Sequence, residues 1–390
     1  MARLILRNRQ SPGDVLMLTA AVRDLHRQYP GCFQTDVRTT AEALWENNPH
    51  LTPLAEEDAA VETLDCHYPL IHHSNQRPVH FLRGFISFLN DRLGLEIQLS
   101  EQRGDVHLSA EELAAPSAVA KWCGGEVPYW IIAAGGKWDF TIKWWDIARW
   151  QAVVDHFAGR LFFVQVGERG HYHPRLRGAL DLRGRTSLRA LVRLVHHPSG
   201  IACPVTCLMH LAAAVPRPAG QGGERPCVVV AGGREPVGWE AYPGHHFLHT
   251  IGELPCCATG GCWRARTAPL GDDDPKDEPS ALCQWAVCLG DGPPNRAFPA
   301  ESLDAWRTAG FQPAPHLLPE CMHRITAEDV IAVIESTLGS RQACAMTRIE
   351  SRQAASGLAR MESQRSRESI RAAQSHEALS LSVSQPETNP

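Results

Sequence analysis

Leu4-Ile5-Leu6, Ser11-Pro12-Gly13-Asp14 and Val15-Leu16-Met17-Leu18-Thr19-Ala20-Ala21-Val22 open the chain as a strand, a tight turn and a helix. Pro12 and Gly13 carry the turn chemistry. Asp14 admits two readings. As an N-cap residue, its side chain accepts from the free amides of the first helical turn. At the carboxyl edge of a first strand, it stands where open α/β sheets bind ligands and do their chemistry.

Outward from this unit the alternation continues. Phe33–Val37 reads as a second strand, Thr40–Asn47 as a helix, Val61–Leu70 as a third strand and His80–Leu93 as an amphipathic helix. The acidic, Ala-rich stretch from Ser109 to Ala120 reads as a connection, with a domain boundary near Pro116–Val127. The pattern then restarts. Strands are expected at Tyr129–Ala134, Leu161–Val166, Ile201–Val205 and Cys227–Val230, and helices at Trp145–Phe157, Ser187–His196 and Thr206–Val215. Ala327–Leu338 reads as a last amphipathic helix capped by Thr326, and beyond Ser340 the polar composition predicts a disordered tail. Strands alternating with helices imply α/β architecture with parallel sheets, here in two doubly wound domains with a cleft between them as the default site.

Bulk composition excludes several classes. The 390 residues are 44% hydrophobic and 21% charged with a net charge of −5, which suits a globular protein and gives no bias toward nucleic acid or anionic membrane. No apolar run approaches the roughly 18 residues needed to span a bilayer, and no charged-then-apolar leader opens the chain, so a cytoplasmic location is expected. The chain has thirteen cysteines. Those before residue 230 are scattered, as buried reduced thiols would be. Cys256, Cys257, Cys262, Cys283, Cys288 and Cys321 instead crowd the polar insert around 255–322. In a cytosolic chain this crowding favours a structural four-thiolate site for Zn or Fe over disulfides, although no paired CxxC knuckle is present. The expected ligands are Cys257, Cys262, Cys283 and Cys321, with Cys256 able to replace Cys257. The run Asp272-Asp273-Asp274 reads as a solvated loop and not as a magnesium site.

Three stretches together resemble family 9 glycosyltransferases, the heptosyltransferase group, across about residues 3–338: Gly13-Asp14-Val15-Leu16 through Ala20-Ala21-Val22-Arg23, Thr141-Ile142-Lys143-Trp144-Trp145 with Trp150, and Met209-His210-Leu211-Ala212-Ala213-Ala214-Val215-Pro216. The resemblance implies a GT-B fold of two facing Rossmann-like domains: 1–122 on the acceptor side, 123–340 on the nucleotide-sugar donor side, and 341–390 as tail. It implies an inverting sugar transfer that needs no metal, with heptose from an ADP-activated donor moved onto a glycan or protein acceptor. Asp14 would be the base. The donor site would draw on Lys137, Thr141, Lys143, Thr206, Met209, His210, Arg234 and Glu235, since lysines, arginine and helix-terminal amides neutralise a leaving diphosphate and Glu235 takes hydroxyls. Trp239 would stack on a base or acceptor, or lie buried. The cysteine cluster is similar to that of the autotransporter heptosyltransferases, which modify protein, carry a four-cysteine iron site and assemble into large rings, so a homo-oligomer is an open expectation. One departure stands out. Lipopolysaccharide heptosyltransferases carry Asp-Thr-Gly just before the position of His210, whereas this chain reads Val205-Thr206-Cys207. The alternatives are therefore another nucleotide sugar, or a binding or scaffold protein on the same fold.

Overall fold

Pro12 and Gly13 turn the chain straight from its first strand into its longest N-terminal helix, and the rest of the first sheet is laid against that strand. The computed structural model describes residues 1–289 and 317–339. Ala2–Asn8 (β1) leads into Pro12–Gln28 (α1), followed by Phe33–Thr39 (β2) and Val61–Asp65 (β3), which flank β1 in a parallel sheet of order β2-β1-β3. Leu82–Leu93 (α2) packs on α1. The expected helix over 40–47 shrinks to a single 3-10 turn, Glu42–Leu44. Asn47 takes a left-handed φ of 62° and Pro49 follows, so no second turn forms. The third strand stops five residues earlier than expected, because Pro69 starts a 3-10 segment, Pro69–His73. The expected connection after Ser109 holds two short helices, Ala110–Ala114 (α3) and Ala120–Cys123 (α4). Ser109 and Glu112 close a capping box on the first.

The second sheet follows the same logic with six parallel strands. Tyr129–Ile132 (β4), Ile147–His156 (α5), Phe162–Gln165 (β5), Leu180–Asp181 (β6), Leu188–His196 (α6), Gly200–Pro204 (β7), Cys207–Ala214 (α7), Cys227–Gly232 (β8), Val237–Glu240 (α8) and His245–His249 (β9) give the order β6-β5-β4-β7-β8-β9. Asp146, Ser187 and Thr206 cap α5, α6 and α7 with their side-chain oxygens, so these starts lie within two residues of where the sequence puts them. The edge strands β6 and β9 have no counterpart in the sequence reading. A small antiparallel pair, Ala286–Cys288 (β10) with Leu317–Pro319 (β11), precedes Glu320–His323 (α9) and the helix over 327–339 (α10). Thr326 caps α10, its hydroxyl accepting from the Asp329 amide.

Residues 1–333 form one unit; of the second, 334–390, only 334–339 is described. The tail beyond residue 339 therefore lies outside the described residues. Among the described residues no helix is long and apolar enough to cross a membrane. One continuous core runs from Leu4, Val15 and Leu18 of the first sheet's layer to Ile131, Leu208 and Val229 of the second. The buried apolar faces thus hold α1 against α7, each contributing its own N-terminus to a common junction.

Candidate active site

At that junction, Asp14 is the third helical residue of α1 and not the N-cap; the N-cap is Ser11. The Asp14 carboxylate reaches back and accepts the Ser11 amide on Oδ2 at 3.1 Å. Its Oδ1 accepts the Tyr68 hydroxyl at 2.6 Å. Burial, followed by the charge of Asp14 itself, raises the Tyr68 pKa far beyond its ordinary range, so the phenol stays a donor. The Tyr68 ring is wedged edge-on against Phe81 and Phe85 at 4.8 and 5.2 Å. Two donors and a locked ring fix the direction of one carboxylate.

The cations come from the second sheet's loops. Lys137 donates from Nζ to Ser11 Oγ at 2.8 Å and so reaches across to the start of α1. Lys143, at the end of the 3-10 segment Trp138–Lys143, pairs with Glu235 Oε1 at 2.6 Å. Arg234 pairs with the same oxygen and donates from Nε to the Arg264 carbonyl at 2.6 Å. Its guanidinium lies 4.8 Å from the Phe140 ring centre and 5.5 Å from that of Trp263. Burial lowers the Lys143 pKa, the Arg234 charge lowers it further, and Glu240 and Asp14 act in the opposite sense. Burial likewise raises the Glu240 carboxyl, with Asp14 adding to the rise and Lys143 and Arg234 opposing it. Lys143 and Glu240 therefore each feel the charges of the other, of Arg234 and of Asp14, although the four are spread over more than 220 residues of chain.

The remaining expected residues divide by what holds them. Thr206 spends its hydroxyl on the α7 cap. Thr141 is fully buried, and its hydroxyl meets both the hydroxyl and the amide of Thr267, at 3.0 and 2.8 Å. Met209 lies in the core, and Trp239 is buried with its ring stacked on Phe81 at 5.1 Å. His210 does enter the cluster. Its Nδ1 meets the Tyr242 hydroxyl at 2.8 Å and its Nε2 lies 3.3 Å from Glu240 Oε2. Burial holds its pKa well below the ordinary value, with the neighbouring charges of His80, Lys143 and His245 adding to the effect.

Three residues escaped the sequence reading. Tyr68 follows the carboxyl end of β3, the edge where such sheets place functional groups. Glu240 closes the short α8 just past the Gly232-Gly233 turn. Asn75 accepts from the Gly261 amide and from Trp263 Nε1, and donates to the Gly261 carbonyl, which pins the cysteine-rich insert beside the cluster.

The insert's thiols lie near enough to act on one another. Burial raises Cys256 to about 11 and Cys283 to about 12; nearby thiols add to both, Cys262 and Cys257 around the first and Cys262 and Cys256 around the second. Cys321 is raised by burial and then by Cys283, Cys262 and Cys256. Cys257 acts on Cys256 and Cys262 as well, but its Sγ is turned to the carbonyls of Thr250 and Leu254 at 3.4 and 3.5 Å. Soft thiols in a reduced cluster are suitable donors for zinc or iron. Among the described residues, however, no group of three or more His, Cys, Asp or Glu is drawn up to hold an ion. The acidic run is a salt-bridge knot: Asp272 pairs with the buried Arg266 at 2.7 Å and Asp277 at 2.5 Å.

Residues 70–219 match the profile of glycosyltransferase family 9 (heptosyltransferase). No curated protein sequence matches the chain. Among solved structures, the chain is similar to the glycosyl transferase family 9 from Veillonella parvula DSM 2008, with a TM-score of 0.54 and 12% identity over 87% of this chain and 97% of that one. It is also similar to the iron-containing dodecameric glycosyltransferase TibC from enterotoxigenic E. coli H10407, with a TM-score of 0.52 and 18% identity over 87% and 76%. TibC in complex with ADP-D-beta-D-heptose gives a TM-score of 0.51 at 19% identity over the same shares. These likenesses identify the fold as GT-B.

Proposed function

We propose that the chain is a glycosyltransferase of family 9, whose profile its residues 70–219 match, and that it transfers heptose from ADP-heptose onto a glycan or protein acceptor with inversion at the anomeric carbon. The observation that carries this reading is a carboxylate, Asp14, fixed by two donors and lying within electrostatic reach of the cation Lys143, which shares Glu235 with Arg234. Asp14 takes the proton of the acceptor hydroxyl as that oxygen attacks the anomeric carbon. The bond from this carbon to the diphosphate oxygen breaks on the opposite face. Lys143 and Arg234 receive the charge that develops on the diphosphate. Glu235 holds the two cations together before the donor arrives.

A structural zinc or iron belongs to the same reading, on Cys262, Cys283 and Cys321 with Cys256 as fourth ligand in place of Cys257. Two things support it: the mutual influence of these four thiols, and the iron of the structurally similar TibC. Four thiolates leave no open position, so the ion would order the insert and take no part in transfer. Metal content of the purified chain checks the set: Cys256→Ser is expected to lose the ion and Cys257→Ser to keep it.

The deciding experiment on the transfer itself is donor discharge. Wild type is expected to release ADP from ADP-heptose, and Asp14→Asn to bind the donor equally well and turn over roughly 10²–10⁴-fold more slowly. Equal turnover would reduce Asp14 to a helix-start residue. Discharge of a different nucleotide sugar would move the donor assignment and leave the class of reaction intact.

A further inference from the structure

Glu240 is 4% exposed, yet its Oε2 has no hydrogen-bond partner. The nearest cation-forming group, His210 Nε2 at 3.3 Å, does not complete a hydrogen bond, and burial keeps that imidazole uncharged. Buried acceptors without a donor are rare in folded chains and call for an explanation. A second one sits in the same cluster. Glu235 is 2% exposed and gives Oε1 to both Lys143 and Arg234, while its Oε2 is equally without a partner. Two unfilled carboxylate oxygens beside two cations do not suit a lone anion, which would meet repulsion from both. They suit a ligand with several hydroxyl donors attached to an anion. The charged groups that act on Glu240 are Lys143 and Arg234 on the diphosphate side and Asp14 on the acceptor side. Glu240 also lies 3.3 Å from His210, whose ring stands 3.3 Å from where a Gly13 side chain would be, so it sits at the junction where α1 starts beside Asp14.

We propose that Glu240 is a specificity-determining residue whose free oxygen accepts a hydroxyl of the transferred sugar, with Glu235 taking a second. The proposal rests on the reading of the chain as a nucleotide-sugar transferase. It assigns sugar discrimination to the loop after β8, a site separate from the helix start at Val205-Thr206-Cys207.

Titration calorimetry of wild type, Glu240→Gln and Glu240→Ala tests it, with ADP, UDP and GDP and their heptose, glucose and mannose conjugates as probes. The bare diphosphate is expected to bind all three chains alike. The preferred conjugate is expected to bind Glu240→Ala about tenfold more weakly, and Glu240→Gln by less because one acceptor oxygen is kept. The amide variant is isosteric, and a melting curve for each chain separates lost contacts from lost folding. Equal weakening of diphosphate and conjugate, or no weakening of either, overturns the assignment. So does a wild-type chain that binds every conjugate no better than its diphosphate. Failure to bind any nucleotide overturns the parent reading instead.

Discussion

Two dipeptides of nearly the same chemistry behave in opposite ways. Arg23-Asp24 lies in α1 with side chains 1% and 0% exposed, and Arg234-Glu235 lies after β8 with side chains 12% and 2% exposed. In the first, the guanidinium donates to both oxygens of Asp24 and to the carbonyls of Glu101 and Arg103, and Ser100 donates to Asp24 from both amide and hydroxyl. In the second, one carboxylate oxygen carries two cations while the other has none. A buried ion pair completed on every side is scaffold, and it straps the 100–105 segment to α1. One left incomplete is held ready for something else, at a cost in stability that the scaffold pair does not carry.

That contrast can be broken by mutation at either pair. The largest expected effect of a single substitution is at the complete pair: Asp24→Ala strands a buried guanidinium and should cost about 3–5 kcal/mol in chemical denaturation, with donor affinity of the folded fraction unchanged. Acid should act next, and through the incomplete region. Burial lowers His80 to about 4 and His245 to about 3, and drives His210 well below its ordinary value. The unfolded chain takes up these protons near pH ~6.5 while the folded chain resists. The stability these groups confer is therefore complete above that pH and falls as pH drops toward 4, by up to about 4 kcal/mol per pH unit if all three protons are involved. Unfolding curves at pH 7, 6 and 5 measure the slope, and a flat profile would mean that these imidazoles are hydrated. The smallest stability change is expected at the incomplete pair. Glu235→Gln should alter unfolding by less than about 1 kcal/mol, because a site residue adds little to the scaffold, yet weaken diphosphate binding about tenfold as Lys143 and Arg234 lose their shared anchor. A loss at Glu235 as large as at Asp24 would erase the distinction.

What could be read from sequence follows the range of the interactions. The strand, turn and helix around Pro12-Gly13 and the capped starts at Asp146, Ser187 and Thr206 depend on neighbours within about four residues, and these elements stand close to where the sequence puts them. The helix expected over 40–47 failed for an equally local reason, the left-handed Asn47, whose periodicity gives no warning. The site's missing members are all long-range. Tyr68 meets Asp14 across 54 residues and Asn75 meets Trp263 across 188. No window on the sequence contains either pair. Residue type also misled at Thr141, whose polar side chain in a suggestive position is spent inside on Thr267, while Trp239 takes the buried one of its two readings.

The meeting of α1 and α7 carries one more consequence. A side chain at Gly13 would come within 3.3 Å of the His210 ring and 3.7 Å of the Cys207 Cα, so the two helices begin next to one another. Each start carries roughly half a positive charge from its unpaired amides. Set this close together, these partial charges push against the packing that joins them. If the donor's diphosphate lodges there, as the proposed function has it, it acts as a keystone: it cancels the push, and the loaded protein should be stiffer at this junction than the empty one.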